Sequence, residues 1–268
     1  MTEARNEGRP QVTRQEPTRP PRGGGAPWLR GLALVVFMYA LMAVMGLLCA
    51  PAVLIAPRRA AIWSCRTYCR IVLPAARLIC GLRWEVRGPI PKGEALIACK
   101  HQSFLDIIIL VRVLPAPRFV MKRSLLWAPV LGWYARKLGC VAVDRGAGGA
   151  AVRRMLAETS ADGTPGQLII YPQGTRVPPG AKAPYKVGVA ALCDTLGTPI
   201  TLAATNAGVF WGRSEIARRP GLAVVEFLDE VPAGRTRAEA MARVEGEIEA
   251  ASDRLLAEAM GRAVDRPI

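Results

Sequence analysis

The sequence predicts an α/β fold: a layered mixed sheet flanked by helices, preceded by an N-terminal membrane helix or helical hairpin. Three observations carry this. Beyond Gly81, short apolar runs of strand length alternate with stretches of helical periodicity. Ahead of them, Leu32 to Ala56 contains no charged residue. Over the whole chain of 268 residues the hydrophobic fraction is 51%, above the soluble average.

Residues 1–29 are rich in Arg, Pro, Gly and Gln and short of large apolar residues, a composition that cannot bury enough surface to offset ordering entropy, so a disordered basic tail is expected. Residues 30–80 read as a membrane-anchoring helical segment. At about 1.5 Å per residue, the charge-free run measures roughly 37 Å as a helix, enough to cross about 30 Å of hydrocarbon. A cleaved signal peptide fits badly, because the polar lead-in and the apolar run are both too long and no small-x-small site follows. Pro51 and Pro57 interrupt the helix near its end. From Arg58 to Cys80, arginines are interleaved with Ile62, Trp63, Tyr68, Ile71 and Leu73, the pattern of an interfacial helix with snorkelling side chains. A true span and a hairpin that returns the chain to the cytoplasmic side are both open.

Residues 81–235 hold the layered domain. Strands are expected at Arg83–Val86, Ala95–Cys99, Arg118–Met121, Cys140–Val143, Gln167–Tyr171, Ile200–Ala204 and Leu222–Phe227, with helices at Ser103–Val113, Ser124–Leu138, Gly149–Ala161 and Lys186–Leu196. In residues 236–268, Met241, Val244, Ile248, Leu255 and Met260 recur at helical spacing and predict an amphipathic helix packed on the domain.

Thirty-six Lys and Arg against 21 Asp and Glu give a formal charge of +15, which favours anionic partners. An aromatic content of 6%, with no RNA-binding or zinc-finger pattern, ranks nucleic acid below anionic lipid or an acidic carrier protein. The seven cysteines form no C-x-x-C pair, and His101 is the single histidine, so neither a metal site nor a disulfide framework is expected.

The stretch Cys99-Lys100-His101-Gln102-Ser103-Phe104-Leu105-Asp106 ends a strand and opens a helix. An imidazole there can take a proton from an attacking alcohol, and a carboxylate can fix its tautomer. Ser103-x-x-Asp106 before an apolar run is also a capping box, a role compatible with the first because the cap would position the dyad. A second cluster, Tyr171-Pro172-Gln173-Gly174-Thr175-Arg176, ends a strand in a Pro/Gly turn that presents a hydroxyl, a guanidinium and free amides to an anion. Lys186 follows at the start of a helix, another anion-favouring place. Asp144-Arg145 after a strand reads by itself as a turn with a local ion pair, and Thr198-Pro199-Ile200 as a bend before a strand.

In this order and spacing, H-x4-D, Asp-Arg, Pro-x-Gly-Thr-Arg and a Pro before a strand resemble the glycerolipid acyltransferases, most narrowly the bacterial 1-acyl-glycerol-3-phosphate acyltransferases. The resemblance runs from about Cys80 to about Glu230. It implies His101 as general base with Asp106 as its orienting partner. It implies that Gly174 and Arg176 hold the acceptor phosphate, that Asp144 and Arg145 line or support the acceptor pocket, and that Pro199 shapes the acyl-donor side. The implied acceptor is lysophosphatidate or a related lysolipid, and the donor a fatty acyl thioester on acyl carrier protein or coenzyme A, with no further cofactor. The implied location is the cytoplasmic face of the inner membrane, in contact with membrane lipids. Two positions depart from the family: Lys100 stands where Asn is usual, and Gln173 where Glu is usual. The second keeps an acceptor oxygen but loses the charge, which leaves open an amino-acid-containing lysolipid, lysophosphatidylglycerol or glycerol 3-phosphate as acceptor. A non-catalytic protein holding anionic lipid on a basic patch is the alternative from another class.

Overall fold

The computed structural model describes residues 26–144 and 148–264. The expected basic tail, as far as residue 25, lies outside the described residues. Helices α1 (Ala26–Leu48), α2 (Ala50–Ile55) and α3 (Pro57–Cys80) come first. Breaks fall where Pro51 and Pro57 each occupy a first or second helical position, since a proline ring suits a helix start and not a helix interior. Tyr68 donates its hydroxyl to the Met38 carbonyl at 3.2 Å, and the Cys80 thiol contacts the Arg30 carbonyl at 3.6 Å. These pairings run in opposite senses along the chain, so α1 and α3 form an antiparallel hairpin with α2 at its tip. Among the described residues α1 is the one helix long and apolar enough to cross a membrane, by length and composition. Its outer face carries Leu29, Val36, Tyr39, Val44, Leu47 and Leu48 exposed, while Leu34 and Met38 join the core of the sheet domain.

Gly81, in the left-handed conformation, caps α3 and turns the chain into the sheet. The strands are β1 (Leu82–Arg87), β2 (Ala95–Cys99), β3 (Pro117–Lys122), β4 (Val141–Val143), β5 (Gln167–Ile170), β6 (Ile200–Thr205) and β7 (Gly221–Val231), in the spatial order β1-β7-β6-β2-β5-β3-β4. Every pairing is parallel except β6 with β7. The mixed sheet and its seven segments match the expectation from the alternating pattern.

Side chains of successive strand residues leave opposite faces, and two cores result. Ile97, Cys99, Ile169, Tyr171, Ala203 and Val225 pack under α3, α4 (Phe104–Val113) and the short α8 (Ala207–Phe210). Leu96, Ala98, Leu168, Ile170 and Leu202 pack under α6 (Gly148–Asp162), α7 (Gly188–Leu196) and α9 (Arg237–Val264). One expected helix is corrected: Ser124–Leu138 is not continuous but a 3-10 turn, Arg123–Trp127, followed by α5 (Leu131–Lys137). Pro129 disfavours helical backbone at Ala128, whose ψ is 126°, and Val130 then reverses to a φ of 61°.

Candidate active site

His101 follows β2 by two residues, and the parity of the strand turns its ring towards the face covered by α4. There Ser103 caps α4 by accepting from the Leu105 amide at 3.1 Å, and Asp106 closes the capping box. Asp106 is fully buried. One of its oxygens accepts from the amides of Gln102 and Ser103 at 2.9 and 2.8 Å. The other accepts from the Tyr171 hydroxyl at 3.3 Å and lies 3.0 Å from His101 Nδ1, which is 3.2 Å from the first. Both oxygens of the buried carboxylate are thus supplied with hydrogen-bond partners. The cap and the imidazole partner are therefore the same carboxylate, held by the helix start it stabilises.

With Nδ1–H donated to Asp106, the lone pair of His101 sits on Nε2, the nitrogen available to a substrate. The ring stacks on Tyr171, with centroids 3.9 Å apart and planes at 18°, and only 8% of the residue is exposed. Burial and the neighbouring Asp106 push the Tyr171 hydroxyl well above its ordinary range. Burial does the same to the Cys99 thiol. Both stay neutral, and Tyr171 acts as a donor to the carboxylate.

The Tyr171–Arg176 turn is fastened directly to this dyad. The Val177 amide donates to the His101 carbonyl at 2.8 Å, the Gly174 amide to Tyr171 O at 2.8 Å, and the Lys186 amide to Pro172 O at 2.9 Å. Gly174 has a φ of 68°, and a β-carbon there would come within 3.1 Å of Lys186 Nζ, so a side chain at this position would meet both backbone strain and the ammonium. Thr175 and Arg176 follow in the same turn, half-buried. Arg176 donates to the Arg213 carbonyl at 3.3 Å, and Arg213 returns a contact to Arg176 O at 3.5 Å. Among the described residues neither guanidinium nor the Lys186 ammonium has a carboxylate partner. Three cations beside a left-handed glycine are an arrangement able to receive an anion such as phosphate.

Gln173 is buried and faces away from this receptor, towards α9. Its amide nitrogen lies 3.4 Å from Ala183 O and 3.3 Å from Glu249 Oε1. Asp144, at the end of β4, accepts from Arg123 at 2.9 Å and Arg154 at 3.1 Å; Arg123 also donates to Glu158 at 3.1 Å. Two strands separate β4 from β2, which at about 4.8 Å per strand spacing puts Asp144 roughly 14 Å from the line of His101. It braces the 3-10 turn and does not reach the dyad. Arg145 lies outside the described residues.

Pro199 is not brought to the dyad. It precedes β6, whose Ile200 pairs with Leu96 at the start of β2, so it lies at the edge of the sheet opposite His101. The four steps from Ala95 to Cys99 alone, at about 3.3 Å each, span roughly 13 Å. Pro199 starts a strand and does not border the reacting groups. Conversely, the sequence carries no signal for Arg213 or Glu249. Tyr171 stood in the turn motif without a role, and only strand parity, which puts 97, 99, 101 and 171 on one face, could have suggested one.

The acyltransferase family model matches residues 83–203. A 1-acyl-sn-glycerol-3-phosphate acyltransferase of Pseudomonas aeruginosa is 32% identical over 159 residues, 58% of this chain and 62% of that protein. The human alpha form of the same enzyme is 29% identical over 170 residues, 61% of this chain and 60% of that protein. A lyso-ornithine lipid O-acyltransferase of P. aeruginosa is 35% identical over 103 residues, 37% of this chain and 39% of that protein. The chain thus spans about three fifths or less of these curated relatives. The crystal structure of a 1-acyl-sn-glycerophosphate acyltransferase from Thermotoga maritima superposes with a TM-score of 0.71 at 20% identity, covering 86% of this chain and 98% of that one, which shows a shared fold. The stretch matched by the acyltransferase family model, residues 83–203, holds the His101–Asp106 pair and the Arg176 turn.

Proposed function

We propose that this protein transfers a fatty acyl group from an acyl thioester to the free hydroxyl of 1-acyl-glycerol-3-phosphate, giving phosphatidate. The observation that carries the reading is His101 Nδ1 bound to a fully buried carboxylate, with a three-cation receptor fastened to the same backbone. The acceptor phosphate sits against Arg176, Lys186 and Arg213, and its hydroxyl reaches His101 Nε2. As the oxygen attacks the thioester carbonyl carbon, a C–O bond forms and the proton passes to Nε2. Asp106 stabilises the imidazolium. Collapse of the tetrahedral oxyanion breaks the C–S bond, and the proton on Nε2 goes to the departing sulfur. No covalent acyl-enzyme is needed. Acyl carrier protein and coenzyme A are both anionic, and the net charge of +15 suits either.

The α1–α3 hairpin supports membrane association; the resemblance implies the cytoplasmic face of the inner membrane. α1 and the exposed tip residues Leu54 and Ile55 enter the apolar layer. The arginines of α3 make that helix a poor span and a good interfacial one. A re-entrant hairpin, which returns the chain to the side it came from, satisfies both.

A second acceptor is favoured by one feature. Gln173 removes a carboxylate from the phosphate turn, and a relative named for lyso-ornithine lipid shares 35% identity over 103 residues. The test is a panel: detergent-purified protein, one labelled acyl thioester, and lysophosphatidate, lyso-ornithine lipid, lysophosphatidylglycerol and glycerol 3-phosphate as acceptors. The proposal expects lysophosphatidate to give the highest kcat/KM. A tenfold preference for another acceptor overturns the substrate, and no transfer to any of them overturns the activity.

A further inference from the structure

The two positions that depart from the family pattern meet on one carboxylate. Lys100 precedes the base, so strand parity sends its side chain to the opposite face of the sheet from His101. There it is 2% exposed, and its ammonium lies 2.5 Å from Glu249 Oε1 on α9. Gln173 Nε2 lies 3.3 Å from that same oxygen, and the Tyr185 hydroxyl donates to it at 2.7 Å. The Gln173 amide oxygen is buried without a hydrogen-bond partner among the described residues. A buried ammonium needs a counter-charge. A glutamate at 173 could supply one from within the phosphate turn; with glutamine there, the charge comes from a helix 149 residues beyond Lys100.

We infer that Glu249 is a positioning residue for acyl transfer, a carboxylate relocated from the phosphate turn to α9 that locks the strand bearing His101 to the turn bearing Arg176. The inference rests on the proposed function. Beyond the pairing of β2 with β5 and the contacts of Tyr171 with His101 and Asp106, two ties join these segments past the strand ends. The first is the Val177 amide on the His101 carbonyl, on the active-site side. The second is the Lys100–Glu249–Gln173 junction behind it. Together they set the span between the base and the phosphate receptor, which the acceptor must bridge with its hydroxyl at one end and its phosphate at the other. Loosening the rear tie leaves Arg176, Lys186 and Arg213 able to hold a phosphate, but lets the hydroxyl drift from Nε2. Misplacement by about 1 Å costs on the order of 100-fold in rate where geometry sets the barrier. The loss therefore falls on kcat rather than on acceptor KM.

Two variants of the full chain test this against wild type with the lysolipid acceptor that wild type turns over best, melting temperatures being recorded alongside. Glu249→Gln keeps the shape and removes the charge; kcat should fall at least about tenfold while acceptor KM stays within about threefold. Adding Gln173→Glu returns a carboxylate to the turn within reach of Lys100, and kcat should recover to within about threefold of wild type. A role in packing alone predicts no rescue by a charge moved to another element. Wild-type kcat in folded Glu249→Gln overturns the inference, as does a double variant no faster than the single one. If Glu249→Gln fails to fold, the double variant carries the test, and its failure to recover counts against the inference. Wild type inactive on every acceptor overturns the proposed function and this inference together, whereas active wild type with insensitive variants overturns this inference alone.

Discussion

Replacing Asp106 by Asn separates the chemistry of the dyad from the stability of the helix it caps. Asn offers one acceptor oxygen and one amide donor where Asp offers two acceptors. One carboxylate oxygen holds the Gln102 and Ser103 amides at 2.9 and 2.8 Å; the other faces His101 Nδ1 at 3.0 Å and the Tyr171 hydroxyl at 3.3 Å. Turning the amide nitrogen towards the two backbone N–H groups would forfeit two hydrogen bonds and bury two unpaired donors, at about 1–3 kcal/mol each. The carbonyl therefore keeps the backbone pair, and the NH2 group faces His101. Nδ1 then loses its nearer acceptor at 3.0 Å and keeps only the retained oxygen at 3.2 Å, so the tautomer with the proton on Nε2, which removes the base from the substrate side, becomes favoured. Loss of the orienting carboxylate of an imidazole base costs roughly 10⁴-fold, or about 5.4 kcal/mol of transition-state stabilisation at 1.36 kcal/mol per decade. The cap survives, so folding stability should drop by no more than about 1 kcal/mol. The assay is the initial rate of labelled acyl transfer to lysophosphatidate, with a thermal melt on the same preparation. A folded variant retaining more than about one tenth of the wild-type kcat/KM would refute this assignment of the tautomer.

Three further outcomes follow from the same geometry. Tyr171→Phe keeps the ring stacked on His101 and removes one long hydrogen bond to Asp106; kcat should fall roughly threefold to tenfold, in line with a lengthened bond worth about 1 kcal/mol, and an unchanged kcat would show that the hydroxyl does not matter to the base. Pro199→Ala, at the far edge of the sheet, should leave the KM for the acyl donor within about twofold, and a tenfold rise would restore Pro199 to the donor site. Burial pushes the Cys140 thiol up to about 11 from an ordinary 9.0. A raised thiol favours the folded state while protonated, so this contribution is complete below pH 9 and is lost as pH rises through 11. Cys140→Ala should therefore melt with a shallower alkaline decline than wild type between those values, and parallel curves would contradict the shift.

Much of the fold was legible because strands buried on both faces write themselves as short apolar runs between turn residues, whatever their partners. The same holds for the Asp106 cap, since Ser103-x-x-Asp106 is a local pattern with a local cause. What escaped was non-local or too short. The break at Pro129 was written in the sequence, but the helical periodicity on either side outweighed it. The four-residue α8 is shorter than any periodicity can register. Pro199 shows the limit of motif order: its place in the sequence is clear, while the edge of the sheet it occupies depends on strand register. Glu249 lies on a long amphipathic helix among Glu245 and Glu247, and nothing in that helix distinguishes the one carboxylate that turns inward to Lys100.

The central claim is that one imidazole, oriented by Asp106, removes the acceptor proton. His101 is the chain's single histidine, so the direct measurement is acyl transfer from labelled thioester to lysophosphatidate by His101→Ala, purified alongside wild type and checked for folding and co-sedimentation with membranes. Folding and sedimentation should persist while transfer falls by at least about 10³-fold. A folded, membrane-bound variant that still transfers at a tenth of the wild-type rate or faster would contradict it.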